Sequence, residues 1–385
     1  MTSGPSVAVN NGQSLVDGPA GIALLHIQRA LTGRCSWTDV HALIREAAAG
    51  PIDASDHAGL YYGAPAIAFM LHTVGDRCRI RYQQALTVLD RHVDRLTHRR
   101  LSAAARRIDA DEFPRFGEYD LFYGLVGIGA LLRLRRPHSD AFADVLRHLV
   151  RLVQPTDRCG TETPGWWVAH DPDPTLPTPG GHANFGMAHG AAGILALLSL
   201  AKADGRVVDG QREAIERLVD WFDRWRQTSP DGPWWPQWIT RTELRNSRPN
   251  QRGPGRPSWC YGSIGILRAL QLAAIATGET VRQRTAESAL SETLTSRSLE
   301  RLTGHGLCHG TAGVYQTAYR AARDSTDSRL SRQLPALASA LAHGDAGVCV
   351  KKGLLNGRAG VELALETAQF GTPHDSGWDR CLLIS

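Results

Sequence analysis

The sequence predicts an all-α protein, folded as a closed α/α toroid of seven helical-hairpin repeats. Three observations lead to this fold class. A Gly-x-x-Gly motif recurs along the 385 residues, an apolar run rich in Ala and Leu follows each copy, and a more polar segment with helical periodicity precedes it. The apolar runs are predicted to be inner helices that start at the motif, and the polar segments to be outer helices.

The repeats are found by aligning the chain on the first glycine of each motif, at Gly18, Gly63, Gly124, Gly190, Gly262, Gly310 and Gly357. Their spacings of about 45 to about 70 residues suit one helical hairpin and a connection of variable length. Glycine before an inner helix permits a tight turn and a close approach of neighbouring backbones. The second repeat has Ala66 where a second glycine is usual, so its local packing is expected to differ.

Closure of the repeats into a ring is expected because no hairpin can bury its apolar stripe alone, and a ring leaves no exposed end. An open solenoid is the alternative, but its repeats would be more uniform in length and its end repeats more polar. The domain prediction is a flexible N-terminus over residues 1–14 and a single toroid domain over residues 15–385.

Composition narrows the function classes. Hydrophobic residues make up 42% of the chain and charged residues 21%, as in a soluble globular protein. The net charge of +5 comes from scattered arginines without a basic block, so nucleic acid is not the expected partner. An odd number of cysteines without close spacing argues against a disulfide framework. With neither a signal-peptide pattern nor an apolar run of about 18 residues, we expect a cytoplasmic protein without a membrane span.

Two long stretches rich in Pro and Gly interrupt the helical pattern, at residues 153–186 and 229–259. Loops of this length inside a compact domain are often functional. They lead into the repeats that carry His189 and Cys260, so we expect them to lie at the same end of the ring.

Equal offsets from the first motif glycine should occupy equivalent places in the ring, and they are called here positions −1 and −2. Position −1 holds Asp17, Tyr62, Tyr123, His189, Tyr261, His309 and Asn356. Position −2 holds Val16, Tyr61, Phe122, Ala188, Cys260, Cys308 and Leu355. The polar and ionisable side chains at position −1 predict a binding site where the inner helices begin.

A zinc site is predicted at Cys260, Cys308 and His309. The two cysteines share position −2 in consecutive repeats, so one step around the ring brings them side by side, and His309 is adjacent to Cys308. Two thiolates and one imidazole suit one Zn²⁺ ion, and three protein ligands leave a fourth position open, as in catalytic zinc sites. Alternatively, these are two buried cysteines and a hydrogen-bonded histidine. The other cysteines are out of register and are interpreted as core or surface residues: Cys35, Cys78, Cys159, Cys349 and Cys381.

Further candidate residues have structural alternatives of their own. His189 is at position −1, but an inner-helix histidine can also bond a backbone carbonyl. Asp120, in "EYDLFYG", can serve as a helix cap. Arg256, in "GRPSWCYG", can be one more arginine of its loop.

These motifs resemble those of the lanthionine synthetase C-like (LanC) cyclases, which close thioether rings in lanthipeptides. The resemblance covers essentially the whole chain and depends on "PGWW" at 164–167, "AHGAAG" at 188–193, "WCYG" at 259–262, "CHG" at 308–310 and "GLLNGRAG" at 353–360. It implies a toroid with one catalytic zinc ion bound by Cys260, Cys308 and His309. It also implies active-site roles for His189, Asp120, Arg256 and Tyr261.

The resemblance implies an intramolecular Michael-type addition of peptide cysteine thiols to dehydroalanine or dehydrobutyrine. The substrate would be a dehydrated precursor peptide, and a separate dehydratase would be the expected partner. His189 would act as general acid or base, Asp120 would orient it, and Arg256 would stabilise the enolate oxygen. Without an inserted domain, the loop over residues 241–256 would be left to recognise a leader peptide. A protein that adds glutathione or another small thiol to dehydrated residues, and a noncatalytic zinc-stabilised scaffold, remain as alternatives.

Overall fold

The computed structural model describes residues 11–158, 160–173, 175–343, 351–371 and 376–385. In this part of the chain the helices are α1 (Pro19–Leu31), α2 (Trp37–Ala47), α3 (Gly63–His72), α4 (Asp76–Asp109), α5 (Phe116–Tyr119), α6 (Leu125–Arg135), α7 (Asp140–Leu152), α8 (Ala191–Ala203), α9 (Gln211–Trp225), α10 (Arg241–Asn246), α11 (Ser263–Thr277), α12 (Thr280–Thr293), α13 (Ser296–Leu299), α14 (Thr311–Arg323), α15 (Arg329–His343) and α16 (Arg358–Phe370). Short 3₁₀ helices cover Asn11–Gln13 and Trp378–Leu382.

The inner helices form a closed ring. In order, α1, α3, α6, α8, α11, α14 and α16 each contact the next, and α16 contacts α1. The helices α2, α4, α7, α9, α12 and α15 pack outside the first six of them. The predicted all-α toroid is therefore confirmed over the open solenoid. Among the described residues no outer helix follows α16, and the chain instead ends in the 3₁₀ helix Trp378–Leu382, which contacts α6.

Burial follows the difference between inner and outer helices. In α8 every residue from Ala191 to Ala201 is buried, because the helix has neighbours on all sides. In α7 the buried residues recur every three or four positions, which is the stripe that an amphipathic outer helix presents to a core: Ala141, Phe142, Val145, Leu146, His148, Leu149 and Leu152.

Glycine is required at the motif positions mainly because the backbone leaves no space for a Cβ atom. A Cβ atom on Gly265 would lie 2.0 Å from the carbonyl oxygen of Trp259, and one on Gly313 would lie 1.9 Å from that of Leu307. A side chain cannot fit there without moving the backbone. Gly63 differs from the other first glycines, since its φ of 71° is in the left-handed region, and it belongs to the repeat that has Ala66 instead of a second glycine.

Backbone hydrogen bonds connect the turns that precede the inner helices. The N–H of Ala188 donates to the carbonyl of Cys260 (3.2 Å), that of Cys260 to Cys308 (3.2 Å), and that of Cys308 to Leu355 (3.0 Å). The carbonyls of Tyr61 and Val16, also at position −2, accept from neighbouring repeats in the same way. Residues at position −2 of consecutive repeats are therefore adjacent in space. These turns together are called the mouth of the ring.

The two long stretches contain strands that the sequence analysis did not predict: β1 (Thr156–Arg158), β2 (Thr161–Thr163), β3 (His182–Asn184), β4 (Gln227–Ser229), β5 (Gly232–Trp234) and β6 (Trp238–Thr240). The antiparallel pair β3 and β6 joins one stretch to the other, with His182 opposite Thr240 and Asn184 opposite Trp238. Three-residue strands are too short for an alternating pattern to be recognisable, and this pair is distant in sequence.

Three remaining expectations concern the cysteines, the N-terminus and the membrane. Cys35 and Cys381 are free, and Cys381 is buried, whereas Cys159 and Cys349 lie outside the described residues, as does the side chain of Cys78. Residues 1–10 also lie outside them, while the Gln13 side chain donates to the carbonyl of Pro51 at 2.8 Å. Within the described ranges, no helix combines the length and hydropathy that a membrane crossing needs.

Candidate active site

Three potential metal ligands meet at the mouth. One ligand atom from each of Cys260, Cys308 and His309 can be chosen so that all three lie within 4.8 Å of one another. Cys260 is buried, and Cys308 and His309 are half-buried. The hydrogen bond from the Cys260 N–H to the Cys308 carbonyl fixes the two turns side by side. The two cysteines are close together because they occupy the same position in neighbouring repeats.

The two thiols share a hydrogen bond. The hydrogen bond from Cys308 lowers the pKa of Cys260 well below its usual value, and the same contact raises the pKa of Cys308. One negative charge is therefore favoured on the pair, and the second sulfur keeps its proton. A metal cation between the sulfurs would stabilise both as thiolates.

The cluster fits a zinc ion. Zinc binds thiolate sulfur at about 2.3 Å and imidazole nitrogen at about 2.0 Å, so neighbouring ligands in a tetrahedron lie about 3 to 4 Å apart. Ligand atoms within 4.8 Å need only a small adjustment to reach that geometry. Two sulfurs and one nitrogen are also soft and borderline donors, which favour zinc over magnesium or calcium. In the described part of the chain, no second group of this kind is found.

His189 and Asp120, from the fourth and third repeats, form a hydrogen-bonded pair. The Nδ1–H of His189 donates to Oδ2 of Asp120 over 2.7 Å, and the carboxylate is buried while the imidazole stays partly exposed. Bonding at Nδ1 fixes the orientation of the ring and leaves Nε2 as the nitrogen that points away from Asp120. A histidine held by a carboxylate in this way is suited to general acid or base chemistry.

Asp120 also stabilises the turn that precedes α6. Its Oδ1 accepts from the backbone N–H groups of Tyr123 (2.7 Å) and Gly124 (2.8 Å). Ser14 and Ser258 occupy the same place in their repeats, four residues before the motif glycine, and their hydroxyls accept from the same turn. One carboxylate oxygen therefore bonds the turn before α6, and the other contacts His189.

Aromatic rings hold the imidazole of His189 on several sides. Phe116 and Phe122 stack near-parallel to it, with centroids 5.4 Å and 5.1 Å away, and Tyr261 lies at 5.9 Å. The Phe116 ring also meets His182 edge-on at 5.5 Å, which connects β3 to the site. The sequence analysis missed both phenylalanines as site residues. Phe122 stands at position −2 and was recognisable from register, whereas Phe116 has no repeat equivalent.

Tyr261 and Arg256 lie on opposite sides of Cys260 in the sequence. Burial, with Cys260 nearby, raises the pKa of the Tyr261 phenol, which therefore stays protonated and can donate a hydrogen bond. Arg256 is exposed, and its Nη1 donates to the Thr303 hydroxyl at 2.8 Å. Its positive charge acts on Cys308, where it lowers the thiol pKa against the larger effect of Cys260. Arg256 thus lies within electrostatic range of the ligand cluster.

In the second and third repeats, the mouth is lined by stacked aromatic rings. Tyr61 stacks on Phe122 with centroids 4.5 Å apart, and Tyr62 stacks on Tyr123 at 5.0 Å with the rings 9° from parallel. These pairs occupy positions −2 and −1 of the second and third repeats. Asp17, at position −1 of the first repeat, lies 3.9 Å from Lys351.

Comparisons with known proteins identify the family and the fold. The model of the family described as "Lanthionine synthetase C-like protein" matches residues 10–383. The nisin biosynthesis protein NisC of Lactococcus lactis subsp. lactis is 24% identical over 139 residues, which make up 36% of this chain and 33% of that protein. The match thus spans about a third of that relative. A solved structure of nisin cyclase has a TM-score of 0.79 at 19% identity, covering 97% of this chain and 92% of the other, and this likeness concerns the fold.

Proposed function

Because the chain belongs to the lanthionine synthetase C-like family, we propose that it is a zinc-dependent lanthipeptide cyclase. It joins cysteine thiols of a dehydrated peptide to dehydroalanine or dehydrobutyrine residues of the same peptide and forms lanthionine or methyllanthionine rings. The observation that carries this proposal is the cluster of Cys260, Cys308 and His309 within 4.8 Å, in the two repeats that follow the one with His189.

The reaction is an isomerisation of the peptide. Zinc held by Cys260, Cys308 and His309 would supply an open position at which the substrate thiol loses its proton. The substrate sulfur forms a C–S bond with the β-carbon while the C=C π bond breaks, and the electron pair moves to the α-carbon and its carbonyl as an enolate. A proton then joins the α-carbon, so the mass of the peptide does not change.

His189 is the group proposed to deliver the proton to the α-carbon. Its Nδ1–H is held by Asp120, so Nε2 is the atom that can carry a proton to a bound substrate. Nε2 can first accept the proton that the substrate thiol gives up. Delivery to the α-carbon would then return this proton to the peptide. Stacking by Phe116 and Phe122 keeps the ring in one orientation during both transfers.

Arg256 and Tyr261 are proposed to stabilise the enolate oxygen. The guanidinium of Arg256 carries a fixed positive charge, and the phenol of Tyr261 remains a donor because its pKa is raised. Both residues flank Cys260 in sequence, so the same turn that offers a metal ligand also supplies these donors. Their effect grows as negative charge develops on the substrate.

The precursor peptide would come from a separate dehydratase, because the reaction consumes dehydrated serine and threonine residues. We propose cytoplasm as the working compartment, since the ligand thiols and the substrate thiol must stay reduced. The arginines of residues 241–256 are proposed to contact the leader segment of the peptide.

The test uses a synthetic peptide that contains one cysteine and one dehydroalanine. Incubation with the zinc-loaded protein is expected to abolish alkylation of the peptide thiol by iodoacetamide without changing the peptide mass, and a chelator should stop the loss. Addition of glutathione to the peptide, seen as a mass increase, would instead support the small-thiol transferase. A thiol that stays fully alkylatable with zinc-loaded protein would overturn the proposal in favour of a noncatalytic scaffold.

A further inference from the structure

The last described segment of the chain, residues 376–385, lies inside the ring and is called here the central segment. It contacts inner helices of several repeats. The Ser376 hydroxyl donates to Oε1 of Gln28 in α1 (2.7 Å), Arg133 of α6 donates to the carbonyl of Ser385 (2.9 Å), and Arg320 of α14 pairs with Asp379 (2.6 Å). Trp378 and residues 381–384 are fully or almost fully buried.

Two consecutive carbonyls of the central segment bond to opposite sides of the mouth. The carbonyl of Cys381 accepts from the Tyr61 hydroxyl at 2.9 Å, and the carbonyl of Leu382 accepts from Nε1 of Trp259 at 3.0 Å. Both side chains are completely buried. Water therefore cannot replace either donor, and losing one of them leaves an unsatisfied buried carbonyl.

Each of the two bonds leads to a different part of the site. Trp259 directly precedes Cys260, the most buried of the three ligands. Tyr61 stacks on Phe122, and Phe122 stacks on His189. Two consecutive peptide units of the central segment thus connect the turn that carries the ligand cluster to the stack that holds His189.

The central segment is itself held firmly. Asp379 accepts from both Arg320 and Gln316, in each case at 2.6 Å. Arg268, which is fully buried in α11, donates to the carbonyl of Ile384 at 3.0 Å and 2.8 Å. Charge-assisted bonds on both sides of Cys381 and Leu382 make these two carbonyls a rigid reference point.

We propose that Trp259 and Tyr61 are positioning residues, through which the central segment sets the separation between the zinc ligands and His189. The inference rests on the proposed function for the metal and for the role of His189. Neither residue touches the substrate. Trp259 acts on the geometry of Cys260, and Tyr61 acts on the orientation of His189.

Trp259→Phe removes the indole donor, and Trp235→Phe is its matched control. Nε1 of Trp235 donates to the carbonyl of Phe222 at 2.7 Å, and this ring is buried as well, so both variants lose one buried indole–carbonyl bond of the same kind. Chelator competition is expected to give about tenfold weaker zinc binding in Trp259→Phe, as for partners that orient a ligand. The visible spectrum of the Co²⁺-loaded protein should change as well. Trp235→Phe should match the wild type in both.

Tyr61→Phe removes a single hydroxyl and keeps the ring that stacks on Phe122. Its zinc affinity is expected to equal that of the wild type, while kcat for the dehydrated peptide falls several-fold at an unchanged KM. The two variants thus separate the two bonds of the central segment, and Tyr61→Phe provides a test even where Trp259→Phe fails to fold.

The outcomes distinguish this inference from the proposed function. A wild-type protein that takes up no zinc removes the proposed function. A wild type that binds zinc and cyclises, with Trp259→Phe indistinguishable from Trp235→Phe and Tyr61→Phe at full kcat, overturns the role of the central segment and leaves the proposed function intact.

Discussion

The second and third repeats place aromatic rings at the positions where the fifth and sixth place the proposed metal ligands. Position −2 holds Tyr61 and Phe122 in one pair of repeats and Cys260 and Cys308 in the other. The rings of the first pair stack at 4.5 Å, and the sulfurs of the second belong to a cluster within 4.8 Å. The toroid therefore supplies close pairs of side chains, and residue type decides whether a pair is suited to packing or to binding a metal.

His189 lies between the two regions, in the fourth repeat. Its ring contacts Phe122 on one side and Tyr261, next to Cys260, on the other. We infer that the aromatic region serves the reaction indirectly, by holding His189, and that the ligand region serves it directly. The predictions below test this difference, beginning with the largest effect.

Cys308→Ala is expected to abolish both zinc binding and cyclisation, because the two remaining protein ligands are too few to hold the ion. We expect activity to fall by more than about 10³-fold, which is within the range that a catalytic zinc contributes. Metal analysis and the alkylation assay measure both effects. Cys35→Ala is the control, since this half-buried cysteine contacts His26 outside the mouth. Activity of Cys308→Ala near that of Cys35→Ala would contradict the ligand assignment.

Asp120→Ser should separate the two roles of this carboxylate. Serine caps the equivalent turn at Ser14 and Ser258, so the free energy of unfolding should change by less than about 1 kcal/mol. Loss of the bond to His189 should lower kcat about 10²- to 10⁴-fold, as for a disabled general acid. Thermal unfolding and cyclisation kinetics measure the two. If the variant is less stable but each folded molecule keeps the wild-type kcat, Asp120 only stabilises the turn.

Gly265→Ala and Ala66→Gly compare the second motif position in the two regions. The new Cβ in Gly265→Ala would lie 2.0 Å from the Trp259 carbonyl, so we expect a loss of about 1 to 3 kcal/mol and weaker zinc binding. Ala66→Gly should cost less, about 1 kcal/mol, through helix propensity. Chemical denaturation measures the free energy of unfolding of both variants. Equal costs would indicate that the close approach at Gly265 is relaxed in solution.

Phe122→Leu should give the smallest effect on catalysis. Leucine keeps an apolar side chain but loses the flat surface against His189, so kcat is expected to fall roughly tenfold with zinc content unchanged. Phe142→Leu, in the buried face of α7, controls for the loss of a core phenylalanine. A larger drop in zinc content than in kcat would place Phe122 with the ligand region instead.

The fold and the ligand cluster could both be predicted from repeat register. Equal offsets from Gly262 and Gly310 placed Cys260 beside Cys308, and the closed ring of inner helices confirms the toroid. Register works here because backbone hydrogen bonds between neighbouring repeats keep position −2 at the same height around the ring.

Other features depend on contacts that no local pattern encodes. The pairing of β3 with β6 joins three-residue segments from two different loops, and Phe116 reaches His189 from a four-residue helix outside the repeats. The central segment follows the seventh motif outside any repeat, and its carbonyls bond to Tyr61 and Trp259. Tertiary burial determines these arrangements, and periodicity carries no information about them.

Zinc stoichiometry of the purified chain separates the ligand region from the aromatic region, because only the ligand region is expected to hold the ion. We expect one zinc ion per chain in the wild type and in Phe122→Leu, and none in Cys260→Ala. A wild-type protein that contains no zinc after purification without chelators and takes up none from added Zn²⁺ would show that Cys260, Cys308 and His309 do not form a zinc site.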